Sequence, residues 1–365
     1  MTDKKNRLIF LQNRANRAGA QVSLSRILGC TKTRSLQPHA ILGTTGWLDN
    51  YLDEISIPHT VAPWPSPRSL TARLGGLKKY ARQLITHLNS QDIRPIAIVA
   101  NDYQECLLAH AMANAAGGAP VIGILRTPGM SLEDFRKYRC HECQHLFARG
   151  EELTIKVKNW CDVNITCMLG SFSNEDLYPA LTPSDQFPKN ILVAGSEEPR
   201  KGFTDLIKAI TILEQSEPDF PAVKFTLTGI KTDFIINAIS QNLRSSFEFV
   251  GRVTDFSDFA RQFQLAIHPS RSESFGMAPL ELVLAGLPTI MSCSGIVPTL
   301  PITAPWTFSG NNPPELAKCL SEIWTNWPKN LPNTEQLQQH ILTNYPIQST
   351  THSLVNTVKK LCEKQ

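Results

Sequence analysis

Nowhere in this chain do apolar residues run on for the roughly 18 positions that a transmembrane helix needs, so no membrane span is expected. After Lys4, Lys5 and Arg7 the first apolar run is only Leu8 to Leu11. That is too short for a signal peptide and reads better as a first strand. A disulfide framework is missing too. Nine cysteines are scattered through 365 residues, an odd count without a secretion signal, which points to reduced thiols and the cytoplasm. Cys140-His141-Glu142-Cys143-Gln144-His145 looks like half a zinc site. No second Cys/His pair stands at finger-like spacing, and the segment reads better as a helix end. No short repeat, low-complexity tract or D-x-D metal motif occurs.

What is present is ordinary globular material. A hydrophobic content of 42% with 19% charged residues supports a core that needs no staples, and the length suits about two domains. The charge is uneven. Residues 1–190 hold 22 Lys and Arg against 16 Asp and Glu, while the rest hold 14 against 16. A mildly basic first half suits an anionic partner, such as a phospholipid surface or a phosphorylated acceptor. It is too mild for nucleic acid, and none is expected as a partner.

Short apolar runs alternate with amphipathic stretches. Strands are predicted at Leu8–Gln12, Ala40–Leu42, Ile96–Ala100, Pro120–Leu125, Leu146–Arg149 and Asn164–Met168. In the second half they are predicted at Asn190–Ala194, Lys224–Thr228, Glu248–Val250, Leu265–His268 and Thr289–Ser292. Helices are predicted at Ser69–Leu88, Glu105–Ala116, Phe203–Glu214, Pro279–Ala285 and Ser353–Glu363. Such alternation, occurring twice, implies an α/β chain of two Rossmann-like domains with parallel sheets. The expected division is 1–170, a Pro-rich polar linker 171–189, 190–335, and a helical tail 336–365. Ligands in such sheets sit beyond the carboxyl ends of the strands. Ser69–Leu88 carries Arg73, Lys78, Lys79 and Arg82 opposite an apolar stripe. It reads first as a sheet-covering helix, and the same face suits an anionic lipid surface.

The most specific string is His268-Pro269-Ser270-Arg271-Ser272-Glu273-Ser274-Phe275-Gly276, running on through Glu281 to Pro288. It reads as a strand end, a small-residue turn and a helix start, with an acid on each side of the turn. Free N–H groups at a helix start favour phosphate, and carboxylates accept hydrogen bonds from hydroxyls. Phosphate donors and hydroxyl acceptors together are what a nucleotide sugar needs.

The string resembles the E-x7-E hallmark of the family 4 (group 1) retaining glycosyltransferases of the GT-B fold, in which two Rossmann-like domains face each other across a cleft. By the same resemblance, the C-terminal helix is expected to cross back to the N-terminal domain. The resemblance implies that Glu273 holds the donor sugar and Glu281 the ribose, with N–H groups around Ser274, Phe275 and Gly276 on the phosphates. Gly195-Ser196-Glu197-Glu198-Pro199-Arg200-Lys201-Gly202 is similar to the family's diphosphate loop, with Lys201 at the lysine position. Ser196 stands where an arginine is usual, so either Arg200 substitutes or the loop is shortened. Gly229 and the pair Arg252 and Val253 match a donor-side loop and the strand end that borders the nucleobase. Gly19 matches the second glycine of the N-terminal loop, with Ala18 at the first, and Arg14 and Arg17 flank it. Arg126 stands where many members have a histidine, and as an arginine it can clamp a phosphate or carboxylate.

What the resemblance implies is transfer of a hexose-type sugar from a UDP-, GDP- or other nucleotide sugar to a glycan or lipid-linked acceptor, in polysaccharide or lipopolysaccharide synthesis. No cofactor or metal is implied. Its place would be the cytoplasm, at the inner membrane face through peripheral contact. The rival reading keeps the fold and drops the chemistry, leaving a nucleotide-sugar-binding or scaffolding subunit. Another GT-B enzyme, such as a phosphorylase or epimerase, is the second rival.

Overall fold

The structure, a computed structural model, describes residues 5–65, 75–195, 199–229, 233–253 and 255–364. The chain divides into two units, residues 1–171 together with 346–365, and residues 172–345.

The first unit holds strands β1 (Lys5–Gln12), β2 (His39–Leu42), β3 (His59–Val61), β4 (Ile93–Ala100), β5 (Val121–Leu125), β6 (His145–Arg149) and β7 (Ile165–Met168). All pair in parallel, in the order β3-β2-β1-β4-β5-β6-β7. Alternate residues of one strand serve opposite faces. Ile9, Leu11, Ile98 and Ala100 enter one apolar cluster, while Leu8, Phe10, Ala97 and Val99 enter the other. Both faces are covered, which is why these strands read as unbroken apolar runs. The first cluster is closed by helix Leu77–Ser90, which buries Ala81, Leu84, Ile85 and Leu88 and leaves Lys78, Lys79 and Arg82 exposed. The amino-terminal part of the predicted Ser69–Leu88 helix, through Leu74, lies outside the described residues. The second cluster is completed by the C-terminal helix Ile347–Cys362, whose Ile347, Leu354 and Val358 join Leu8 and Phe10.

The second unit repeats the plan with β8 (Asn190–Val193), β9 (Lys224–Thr228), β10 (Phe247–Gly251), β11 (Ala266–His268), β12 (Thr289–Ser292) and β13 (Thr307–Phe308). These too are parallel, in the order β10-β9-β8-β11-β12-β13. Residues 172–189 pack within this unit, with the Tyr178 N–H donating to Leu284 O and the Leu181 N–H to Gly286 O, both at 2.9 Å. Helix Thr334–Asn344 belongs here as well, so the tail 336–365 divides between the units.

Two strands, β3 and β13, carry no prediction from the sequence. At three and two residues they are too short to show alternation, and only pairing with β2 and β12 makes them strands.

Candidate functional site

The second sheet reverses its winding between β8 and β11, and ligands of such sheets bind at that point. After β11 the chain runs through Pro269–Gly276 into helix Met277–Leu284. After β8 it passes Gly195 and reaches a 3-10 turn, Pro199–Lys201, and then helix Phe203–Ser216. Ser196 lies outside the described residues.

The two loops are sewn together. The Arg271 N–H donates to Arg200 O at 2.6 Å, and the buried Ser270 hydroxyl donates to the same carbonyl at 3.1 Å. Ser292 Oγ, at the end of β12, donates to Ser270 O from below. Arg271 makes a bidentate pair with the buried Asp205, its Nε at 2.6 Å from Oδ2, and also reaches Thr204 Oγ1 at 3.1 Å. Gly202 has φ +69°, and a Cβ there would stand 1.8 Å from Pro269 O. Only glycine lets the loops meet so closely.

This stitching brings Lys201 Nζ to 2.6 Å from Glu273 Oε1, where it donates a hydrogen bond. Arg200 Nη1 stands 3.8 Å from Glu273 Oε2. His268 Nε2 lies 3.3 Å from Oε1 without hydrogen-bond alignment, and both nitrogens of this buried ring lack a hydrogen-bond partner. Burial pushes the Glu273 carboxyl up, but His268 and Lys201 outweigh it and hold the group well below the usual carboxylate range. Glu273 is therefore an anion throughout the neutral range. Burial drives His268 down against the pull of the Glu273 carboxylate. The site sets one fixed carboxylate against a lysine and an arginine. Its acid can accept hydroxyl hydrogen bonds, and its cations can meet phosphate.

Beside Lys201 lies a small recess lined by Gly195, Leu227, Gly229, Phe249 and Pro269, among others. The Gly229 N–H donates to Gly251 O at 2.8 Å, tying this loop to the strand end that carries the exposed Arg252 and the half-buried Val253. Gly276, φ +93°, opens helix Met277–Leu284, and Glu281 sits half-buried in its second turn. Ser274 is half-buried, whereas Phe275 is buried edge-on against Tyr345 at 5.4 Å. The Phe275 carbonyl accepts from Ile296 N at 2.9 Å, so this residue anchors the turn. His268, Gly202 and the Arg271–Asp205 pair carry no role in the sequence reading. A glycine directly after a lysine at a helix start was the one signal for Gly202.

In the first unit Gly19 opens helix Gly19–Gly29 and is exposed. Arg14 is exposed, and the Arg17 guanidinium lies 5.2 Å over the Trp47 ring. Arg126 turns inward. Its Nε donates to Asn101 O at 2.8 Å and its Nη2 to Asn101 Oδ1 at 2.6 Å. Burial lowers it to about 10 against the pull of Asp102 and Glu105. Gln12, Asn101, Asp102, Glu105 and Arg126 thus gather a polar cluster at the carboxyl ends of β1, β4 and β5.

Burial, with Asp102 beside it, raises Glu105 to about 8. Between its ordinary value of 4.5 and about 8, the folded chain holds a proton that the unfolded chain has released. Stability therefore falls as pH rises through that window. Glu105→Gln is expected to be near neutral at pH 5 and to stabilise at pH 8 by on the order of 2 kcal/mol. Urea unfolding at the two pH values checks this, and an equal difference at both would overturn it.

Comparison with known proteins fits this geometry. Residues 188–326, most of the second unit, match the family described as glycosyl transferases group 1. HepE of Anabaena in complex with UDP-glucose superposes with a TM-score of 0.77 at 16% identity, over 97% of this chain and 99% of that one. Sucrose-phosphate synthase of Thermosynechococcus elongatus gives 0.72 at 11% identity, over 98% and 100% of the two chains. The lipopolysaccharide outer core galactosyltransferase WaaB, in its apo form, gives 0.63 at 14%, over 97% and 98%. No curated protein sequence matches the chain. At these identities the structural likeness establishes the fold, the two Rossmann-like domains of GT-B glycosyltransferases, and the family match supports a group 1 glycosyltransferase domain in the second unit.

Proposed function

We propose that the protein is a family 4, retaining glycosyltransferase that moves a hexose-type sugar from a nucleotide-diphosphate sugar to a hydroxyl of a glycan or lipid-linked acceptor. The observation that carries this is the Lys201–Glu273 pair beside the Gly195–Gly229 recess. Glu273 accepts hydrogen bonds from the donor sugar and Glu281 from the ribose. Lys201 and Arg200 swing onto the diphosphate, with N–H groups of Ser274–Gly276 completing the cradle. Backbone groups of Arg252 and Val253 border the base.

Because Glu273 stays ionised and is already held by Lys201, it serves as a positioning and charge-stabilising group rather than a proton donor. The leaving phosphate takes the acceptor proton on the face it departs from, which gives retention and needs no protein base. On this reading the diphosphate charge is met by side chains and N–H groups, and transfer is metal-independent.

The acceptor side falls to the first unit, with Arg126, Arg14 and Arg17 as its candidates, and Gly19 is a donor-binding candidate that borders the donor phosphate. HepE is solved with UDP-glucose, and WaaB is named for lipopolysaccharide. These support a nucleotide-sugar donor and a surface-glycan acceptor. Among the described residues no helix is long and apolar enough to cross a membrane. The basic face of helix Leu77–Ser90 suits peripheral contact with an anionic cytoplasmic leaflet.

A panel of UDP-, GDP- and other nucleotide sugars, read by thermal shift, tests the donor class. A ligand at 100 times its Kd adds about 2.7 kcal/mol to the native state. One nucleotide sugar is expected to raise Tm in the wild type and not in Lys201→Ala. No shift with any of them would sink the reading, and an inverted anomer in the product would overturn retention.

A further inference from the structure

The half-site Cys140-His141-Glu142-Cys143 acquires partners in the fold. Cys106, which opens helix Cys106–Ala115, and His110, one turn later, meet it beneath β5. Cys143 Sγ lies 4.0 Å from Cys106 Sγ and 3.8 Å from His110 Nε2. Gly123 of β5 makes the room, since a Cβ there would stand 3.5 Å from each of the two sulfurs. Cys106 is 0% and Cys143 4% exposed. Cys140 also touches the Cys106 thiol and raises it, while its own Sγ lies 3.9 Å from Tyr103 O. Among the described residues no three His, Cys, Asp or Glu side chains are arranged to hold a metal ion. The group is a cluster of three thiols around Cys106, with an imidazole beside Cys143.

We propose that Cys143 and Cys106 form an oxidisable dithiol, in which Cys143 attacks a hydroperoxide and Cys106 resolves the product into a disulfide. The two sulfurs are electronically unlike. The contact with Cys106 and then His110 hold the Cys143 thiol below its ordinary value against burial, whereas Cys140, Cys143 and burial raise Cys106. Burial lowers His110, and the Cys143 sulfur together with the Arg139 carbonyl, which accepts from Nε2 at 3.0 Å, more than offsets it. Cys143 is thus the thiolate nucleophile and Cys106 the protonated partner. The Cys143 sulfur attacks the terminal OH oxygen of the peroxide, the O–O bond breaks, and alkoxide leaves, or hydroxide when the oxidant is hydrogen peroxide. The Cys106 sulfur then closes on the sulfenic sulfur. The S–O bond breaks, and the departing hydroxyl leaves as water with the Cys106 proton. The dithiol loses two electrons and the peroxide gains them. The sulfurs need to approach by about 2 Å, within reach of side-chain rotation.

The reading does not depend on sugar transfer. Its test treats the full chain with a small excess of hydrogen peroxide, alkylates the remaining thiols after denaturation, and maps the digest by mass spectrometry. A cross-linked pair of peptides holding Cys106 and Cys143, two hydrogens lighter and released by dithiothreitol, is the expected result. Cys106→Ser is expected to leave a Cys143 sulfenic acid that dimedone traps, and Cys143→Ser to form no cross-link at all. Recovery of both cysteines fully alkylated from the wild type while the exposed Cys293 is oxidised would overturn it. A cross-link from Cys143 to Cys140, or stoichiometric zinc in the purified chain, would do the same.

Discussion

Glu273→Ala is expected to cut the rate of sugar transfer about ten- to a hundredfold while the second unit stays folded. A charge-assisted hydrogen bond is worth roughly 1.5–3 kcal/mol, or about one to two decades in rate. Glu273 is held ionised and oriented before any donor arrives, so its loss falls on the reacting complex. The cost to folding is smaller, because the Lys201 it abandons is 17% exposed and regains water. Lys201→Ala is expected to act chiefly through donor affinity. It leaves the carboxylate facing only Arg200 and His268, so the Glu273 carboxyl rises from its lowered position. Because the two side chains touch, the double variant should be little worse than the more damaged single one. Steady-state consumption of the nucleotide sugar by purified protein measures all three. Near-wild-type rates in both single variants would remove Lys201 and Glu273 from the site.

Gly202→Ala should be the most damaging of the smallest changes. The added Cβ would lie 1.8 Å from Pro269 O, and the residue would have to hold φ +69°. Neither backbone can yield without parting the loop that carries Lys201 from the loop that carries Glu273. Backbone strain and overpacking of this kind cost about 3 kcal/mol or more, a fall in Tm of roughly 10 °C for a unit of this size. Gly19→Ala is the matched control. A Cβ there meets nothing within 4 Å, and alanine suits the helix it opens. That variant should be neutral or gain about 0.5–1 kcal/mol. Differential scanning calorimetry with a donor titration separates the two. Equal effects would mean that the loops are not held as described.

The pattern of apolar runs was legible because parallel strands buried on both faces leave an unbroken signature, as in Leu8-Ile9-Phe10-Leu11. Glu273, Glu281 and Lys201 were singled out through the resemblance of the strings that carry them, and the fold brings Lys201 and Glu273 into contact. What eluded a linear reading was partnership. Nothing in the spacing of Lys201 and Glu273, 72 positions apart, says that they touch. Nothing near Asp205 marks it as the anchor of Arg271. Glu105 reads as a helix-start acid, and only its burial beside Asp102 makes it a proton-holding group near pH 8.

The sequence by itself determined two sheets of parallel strands and a pair of acids around a turn. Local chemistry suffices for that, since hydrophobic period, glycine and the polarity of short loops are properties of neighbours along the chain. Tertiary structure alone decided which charges pair. It set Lys201 on Glu273, turned Arg126 inward onto Asn101, and laid Cys106 against Cys143. The C-terminal helix returns to the first sheet as the resemblance implied, but which residues it meets there was decided by packing. Each of these depends on distances between residues far apart in sequence, and those distances are set only when the apolar faces have found each other.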